Sequence, residues 1–226
     1  MPEPRIIEDI HLRERVQVFR DRVHAGKILA SLLAEYRGSD ALILAIPAGG
    51  VPVAAAMAEA LGLAWDVAVV SKITPSWNSE VGYGAVAFDG TVAINEPMAE
   101  RLGIDSAERE AGTARTREKV ARRVAEFGAA LSKEALVGRT LIVVDDGLAS
   151  GFTMRVAIGS LRAWGPREIL VAVPTAHSQS AALIAGEADA LYCTNIRSGA
   201  SFAVAHAYER WADVSEDEVL ALLQAR

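Results

Sequence analysis

Cysteine is nearly missing. Cys193 stands alone in a chain of 226 residues, so there is no disulfide framework, and its apolar setting suits a packed small side chain better than a nucleophile. The four histidines, His11, His24, His177 and His206, are too scattered for a zinc site. No apolar run is long enough to span a bilayer, and the opening Met-Pro-Glu-Pro-Arg has no signal-peptide core, so no membrane partner is expected and the cytoplasm is the expected location. Positive charge is in deficit, with 23 Lys and Arg against 29 Asp and Glu for a net charge of −6, which argues against nucleic-acid partners. What is present is a hydrophobic fraction of 51% with 18 Gly and 8 Pro, the composition of a globular chain whose length suits one α/β domain.

Helix and strand signals alternate. Apolar residues at Ala25, Leu29, Leu32, Leu33 and Tyr36 mark one helical face over 21–36, after a polar N-terminal arm. Strands are expected at 41–46, 66–70, 140–144, 168–173 and 189–193. Helices are expected at 51–61, from Ser106 to about Phe127, up to Trp164 and from Ser178. Asp89-Gly90 between 84–88 and 91–95 signals a hairpin. Asp105 with Glu108, and Ser215 with Glu218, stand in capping-box positions. The alternation predicts a mostly parallel open sheet with helices on both faces, so ligands should sit beyond the carboxyl ends of the strands.

Residues 141–154, Leu-Ile-Val-Val-Asp-Asp-Gly-Leu-Ala-Ser-Gly-Phe-Thr-Met, carry the most chemistry. A buried strand runs into two adjacent acids and then into a small-residue turn before a helix. Gly147, Leu148, Ala149, Ser150, Gly151, Phe152 and Thr153 form a turn whose amides and hydroxyls suit a phosphate. Asp145 and Asp146 are pure acceptors when ionised, matched to the vicinal hydroxyls of a ribose. An apolar strand ending in two acids also describes the magnesium strand of P-loop ATPases, but no GxxxxGK[ST] occurs. A receiver domain pairs acids near its N-terminus instead. An Asp that merely caps the next helix is the plainest alternative.

Other loops offer secondary candidates. Ala48, Gly49 and Gly50 follow the first strand, and paired glycines before a helix offer amides to an anion, or simply make a tight turn. Lys72 is the cation expected at the end of the second strand; a solvated lysine is the alternative. His177, in a loop expected after Val173, could hydrogen-bond a planar base or begin a helix. Tyr192 could stack on that base or fill the core. Arg115, Arg117, Lys119, Arg122 and Arg123 on the long helix could attract an anion or a second subunit, or form a solvated face.

The motif at 141–153 resembles the 5-phosphoribosyl-1-pyrophosphate (PRPP) motif of type I phosphoribosyltransferases, with Ser150 where Thr is commoner. Nearly the whole chain resembles a subgroup of uncharacterised bacterial and archaeal members. Phe-Arg-Asp-Arg at 19–22, Ile-Pro-Ala-Gly-Gly-Val-Pro-Val-Ala at 46–54, Asp-Val-Ala-Val-Val-Ser-Lys at 66–72, Tyr208-Glu209 and Val214-Ser215 carry the likeness. Relatives usually have Arg at the position of Ala48 and Arg-Lys at that of Ser71-Lys72, so this chain departs by two positive charges.

The resemblance implies one domain over 1–226, with a loop and hairpin at 73–95 and a C-terminal hood and helix at 189–226. It implies ribose binding by Asp145 and Asp146, 5′-phosphate binding by 147–153, and pyrophosphate binding by Ala48, Gly49, Gly50 and Lys72, the turn often containing a cis peptide. Trp77 or Tyr83 could serve in a mobile loop. A base acceptor near His177 and Tyr192, Mg2+ carried mainly by PRPP without a dedicated protein ligand set, and a homodimer complete the expectation. Some members place an Asp general base where Ala149 stands. Its absence, with Ala48, keeps open a PRPP- or nucleotide-binding regulator without strong catalysis, and more remotely a ribose-phosphate hydrolase.

Overall fold

In a computed structural model, residues 5–79, 81–129 and 131–226 are described; the opening residues 1–4, on which the expectation of no signal segment rested, lie outside them. The chain begins with β1 (Ile6–Glu8), α1 (Arg22–Leu32), β2 (Leu42–Ala45), α2 (Gly50–Leu61), β3 (Ala64–Val67) and β4 (Val70–Ile73). It continues through β5 (Gly84–Ala87), β6 (Val92–Ile94), α3 (Glu96–Arg101), α4 (Ser106–Glu126), α5 (Lys133–Leu136) and β7 (Thr140–Val144). Last come α6 (Phe152–Arg162), β8 (Glu168–His177), α7 (Ser178–Ala185), β9 (Ala190–Arg197) and α8 (Glu216–Gln224).

Six strands form one parallel sheet in the order β1-β9-β8-β7-β2-β3. Alternate residues of its inner strands serve opposite faces. Ile43, Ala45, Ile142 and Val144 join one core with Leu29 of α1, Met57 of α2 and Val219 of α8. Leu42, Leu44, Leu141 and Val143 join the other with Leu161 of α6 and Ile184 of α7. A strand buried on both sides must be apolar at every position, which is why 141–144 reads as an unbroken hydrophobic run.

The hairpin is as expected: β5 and β6 pair antiparallel, with Gly90 at a φ of 86° and the Asp89 carboxylate taking the Thr91 amide at 2.9 Å. Asp105 accepts the Glu108 amide at the start of α4, and Ser215 with Glu218 makes a reciprocal capping box on α8. The N-terminal arm contributes β1, an unexpected edge strand parallel to β9, and α3 and α5 were likewise unforeseen.

Two strand expectations need correction. The apolar run at 66–70 is not one strand: β3 ends at Val67 in the large sheet and β4 starts at Val70 in a separate three-stranded sheet with β5 and β6. Lys72 therefore lies within β4, opposite Ala85, and not at the end of a second parallel strand. The loop expected after Val173 is strand, because β8 runs on to His177 and pairs Thr175 with Asn195. β7 ends opposite Ala172 and the next partner on that side of β8 is the isolated bridge from Leu148 to Ala176, so Pro174 falls in a gap between the two, where a proline is tolerated.

Candidate functional site

The carboxyl ends of β2 and β7 and the extension of β8 meet at one edge of the sheet. After β2 the Pro47–Ala48 peptide is cis, and Gly49 and Gly50 press against the two acids. A Cβ on Gly50 would lie 2.6 Å from the Val144 carbonyl oxygen and 2.9 Å from the Asp145 Cα, while one on Gly49 would fall on the Asp146 carboxylate. Only glycine permits that approach. After β7 the chain passes through Asp145 and Asp146 into a turn tethered to β8: the Leu148 amide donates to the Thr175 carbonyl at 2.9 Å and the His177 amide to the Leu148 carbonyl at 2.9 Å. Ser180 of α7 also donates to the Ala149 carbonyl. Gly151, at a φ of 73°, then starts α6 and has no side chain to cap it; the Ser150 hydroxyl accepts the Phe152 amide at 3.3 Å, and the N–H groups that follow are left for an anion.

The acids retain an opening to solvent, yet the protein around them withdraws most of their hydration. Burial, and then the neighbouring Asp146 charge, pushes the Asp145 carboxyl well above the usual range, and its Oδ1 accepts the Asp146 amide at 2.8 Å. Burial raises Asp146 as well, opposed by Arg22. Arg22 Nε donates to Asp146 Oδ2 at 2.9 Å, both side chains being largely buried at 11% and 15% exposure. The same guanidinium donates to the Ala212 carbonyl at 2.7 Å and lies 3.9 Å from the centroid of the Trp211 ring. The buried Tyr208 hydroxyl donates to the Asp146 carbonyl at 2.7 Å.

A cleft of about 290 Å3 opens over this arrangement, lined by Lys72, by every residue from Asp145 to Met154, and by Val204 and Trp211. A second bay of about 270 Å3 shares Lys72, Asp145 and Thr153 with it and is walled by Pro47, Ser71, Lys119 and Arg123 among others. The sequence-derived residues thus divide. Asp145, Asp146, the 147–153 turn and Lys72 line the cleft. Gly49 and Gly50 back the acids without lining it, and Ala48 lines neither opening.

Tyr192 requires correction: it is 1% exposed, two residues from the start of β9, with its hydroxyl on Glu35 at 2.9 Å. That is core packing at the wrong end of the strand for a ligand. His177 does not line the cleft either; its Nδ1 accepts the Gln179 amide at 3.3 Å to cap α7, and its ring meets Phe202 edge-on. Tyr83 is fully buried with its hydroxyl on the Glu108 carbonyl, whereas Trp77 is 62% exposed.

Arg22, Tyr208 and Trp211 are functional candidates that spacing arguments missed. Arg22 and Tyr208 fall in segments that carry the family likeness, but nothing local to either shows that they converge on Asp146. Among the described residues no group of three or more His, Cys, Asp or Glu side chains could hold a metal, and no helix is long and apolar enough to cross a membrane.

The profile of the phosphoribosyl transferase domain matches residues 21–209. Two Mycobacterium tuberculosis proteins, from strains CDC 1551 / Oshkosh and ATCC 25618 / H37Rv, each provisionally named a phosphoribosyl transferase, are 34% identical over 208 residues. The match takes in 92% of this chain and 47% of theirs, so the chain spans about half the length of these relatives. The crystal structure of TT1426 from Thermus thermophilus superposes with a TM-score of 0.70 at 32% identity, covering 92% of this chain and 98% of that one.

Proposed function

The chain belongs to the phosphoribosyl transferase family, and from that premise we propose that it transfers the 5-phosphoribosyl group of PRPP to a nitrogenous base and releases pyrophosphate. The observation that carries this reading is the shared cleft: two desolvated carboxylates and the glycine-started N-terminus of α6, with the Ser150 hydroxyl beside its first amide, line one opening. Asp145 and Asp146 accept hydrogen bonds from the ribose 2′- and 3′-hydroxyls. The 147–153 amides, with the Ser150 and Thr153 hydroxyls, hold the 5′-phosphate. Arg22 and Tyr208 set the position of Asp146.

In the reaction a ring nitrogen of the base forms the new bond to the anomeric carbon as the bond to the pyrophosphate oxygen breaks. Positive charge grows on the ribose, and the acids beneath it stabilise that charge. Lys72 at the cleft wall attracts the departing anion as a point charge. Trp211, 39% exposed and carrying Arg22 over its ring, offers the acceptor base an aromatic wall. Mg2+ would enter on the diphosphate, without a dedicated set of protein ligands, and would neutralise charge on the leaving group.

The test is pyrophosphate release from PRPP and Mg2+ across a panel of purine, pyrimidine and pyridine bases. Release with one of them supports transfer. Saturable PRPP binding without release selects a ligand-sensing regulator on the same fold, and no binding at all overturns the site.

A further inference from the structure

Apart from Arg22 on Asp146, positive charge beside the acid pair is sparse, since the turn after β2 carries Ala48 and β4 carries Ser71 beside Lys72. The second bay receives charge from an element far away in sequence. Lys119 and Arg123, one turn apart on α4, line it together with Ser71, Lys72, Asp145 and Thr153. Two observations set this bay apart from a solvated helix face. The Ser71 hydroxyl, on a residue only 4% exposed, has no hydrogen-bond partner among the described residues, and a buried hydroxyl is rarely left unpaired unless something absent completes it. The cations also crowd one another. Lys119 is itself an exposed residue, yet partial desolvation and then Arg123 push its ammonium below the ordinary range, with Arg122 and Lys72 acting in the same sense and Glu216 against.

Glu216 of α8 holds Arg123 Nε at 2.7 Å, but a guanidinium has five N–H donors and this contact leaves others for a ligand. An anion between Lys119, Arg123 and Lys72 would relieve the crowding. The bay adjoins the cleft through Asp145 and Thr153, so one ligand can place its sugar on the acids and a second charged group here.

We infer that Lys119 and Arg123 bind the diphosphate of the ligand, making α4 the cationic wall of the site. The inference rests on the phosphoribosyl-transfer reading and names residues that hold its leaving group. Lys72 serves both openings, while Lys119 and Arg123 belong to the diphosphate bay alone.

Titration calorimetry tests this with three probes, inorganic pyrophosphate with Mg2+, ribose 5-phosphate and PRPP, on the full chain and on Lys119→Gln, Arg123→Gln, the double variant, Lys119→Arg and Glu216→Gln. Loss of one charge-assisted contact is expected to weaken pyrophosphate and PRPP by roughly tenfold, and the double variant by roughly a hundredfold. Ribose 5-phosphate should stay within about twofold, because its contacts lie on the 147–153 turn. Lys119→Arg should restore most of the affinity, and Glu216→Gln should leave pyrophosphate binding unchanged or tighter. Pyrophosphate affinity retained in the double variant would overturn the inference. So would equal losses for ribose 5-phosphate, or a loss in Glu216→Gln matching that of Arg123→Gln, since either marks a structural role. Failure of ribose 5-phosphate to bind the unaltered chain would remove the parent reading, and this inference with it.

Discussion

Replacing Arg22 with methionine removes the cation that holds Asp146 while keeping most of the side-chain bulk. The pair is nearly buried, at 11% and 15% exposure, and its hydrogen bond is 2.9 Å long. The substitution strands a carboxylate among desolvating groups and also frees the Ala212 carbonyl. Breaking one side of such a pair costs about 3 kcal/mol, toward the low end for buried ion pairs because some solvent reaches it. For a chain of this size that is roughly 6–12 °C in melting temperature, taking ~2–4 °C per kcal/mol. Asp146→Asn alone should cost less, and the double variant should recover part of the loss, since no lone charge remains. Urea unfolding at matched m-values measures the cycle, with an expected coupling energy of about 2 kcal/mol. Strict additivity, to within about 0.5 kcal/mol, would show that Arg22 stabilises only through Trp211 and Ala212 and leaves Asp146 to solvent.

Asp145→Asn should raise stability while abolishing ribose binding, because the amide keeps an acceptor for the Asp146 amide without the cost of a buried charge. The raised folded-state pKa of Asp145 means that native protein holds a proton the unfolded chain has lost. Its contribution is complete below the ordinary carboxylate pKa and fades as pH rises through the folded value. The advantage of the Asn variant should therefore grow with pH in urea midpoints, and a gap that shrinks with pH would contradict this. Gly50→Ala should cost about 1–3 kcal/mol by overpacking, since its Cβ meets the Val144 backbone at 2.6 Å. Gly159→Ala on α6, with nothing within 4 Å, should gain about 0.5–1 kcal/mol; differential scanning calorimetry reads both. Thr153→Val should weaken ribose 5-phosphate by about 1 kcal/mol, roughly fivefold, and an unchanged dissociation constant in calorimetry would misplace the phosphate turn.

The segment from Thr140 to Thr153 was legible because strand, acids and turn are contiguous, so local pattern alone arranges them. The hairpin, the Asp105 N-cap and the Ser215–Glu218 capping box were legible for the same reason, whereas the Glu108 carboxylate turns to Ser76 and Arg115 instead of closing a box on Asp105. The single strand expected over 66–70 divides because the apolar run of 67–70 says nothing about a change of sheet between Val67 and Val70. Tyr192 was misplaced because alternation reveals a buried aromatic but not how far its strand extends. With β9 running to Arg197, the residue sits at the amino end, away from the ligand edge. Arg22, Tyr208 and Trp211 were beyond local reasoning because they meet only when the first helix and the segment before the last helix close over the acids. Lys119 and Arg123 were visible as charges on α4, but the bay they wall depends on how that helix lies against β4.

The clasp on Asp146 joins segments nearly two hundred residues apart in the chain, Arg22 reaching the Ala212 carbonyl across a separation of 190. During synthesis, therefore, Arg22 and the acid pair emerge before the Tyr208, Trp211 and Ala212 groups that complete the clasp. A nascent chain halted before Tyr208 would present two desolvated carboxylates with neither the phenol nor the indole that later encloses them. The clasp is thus completed late, when the final stretch threads back over the sheet edge, and on the proposed function any ligand held there would favour the closing step.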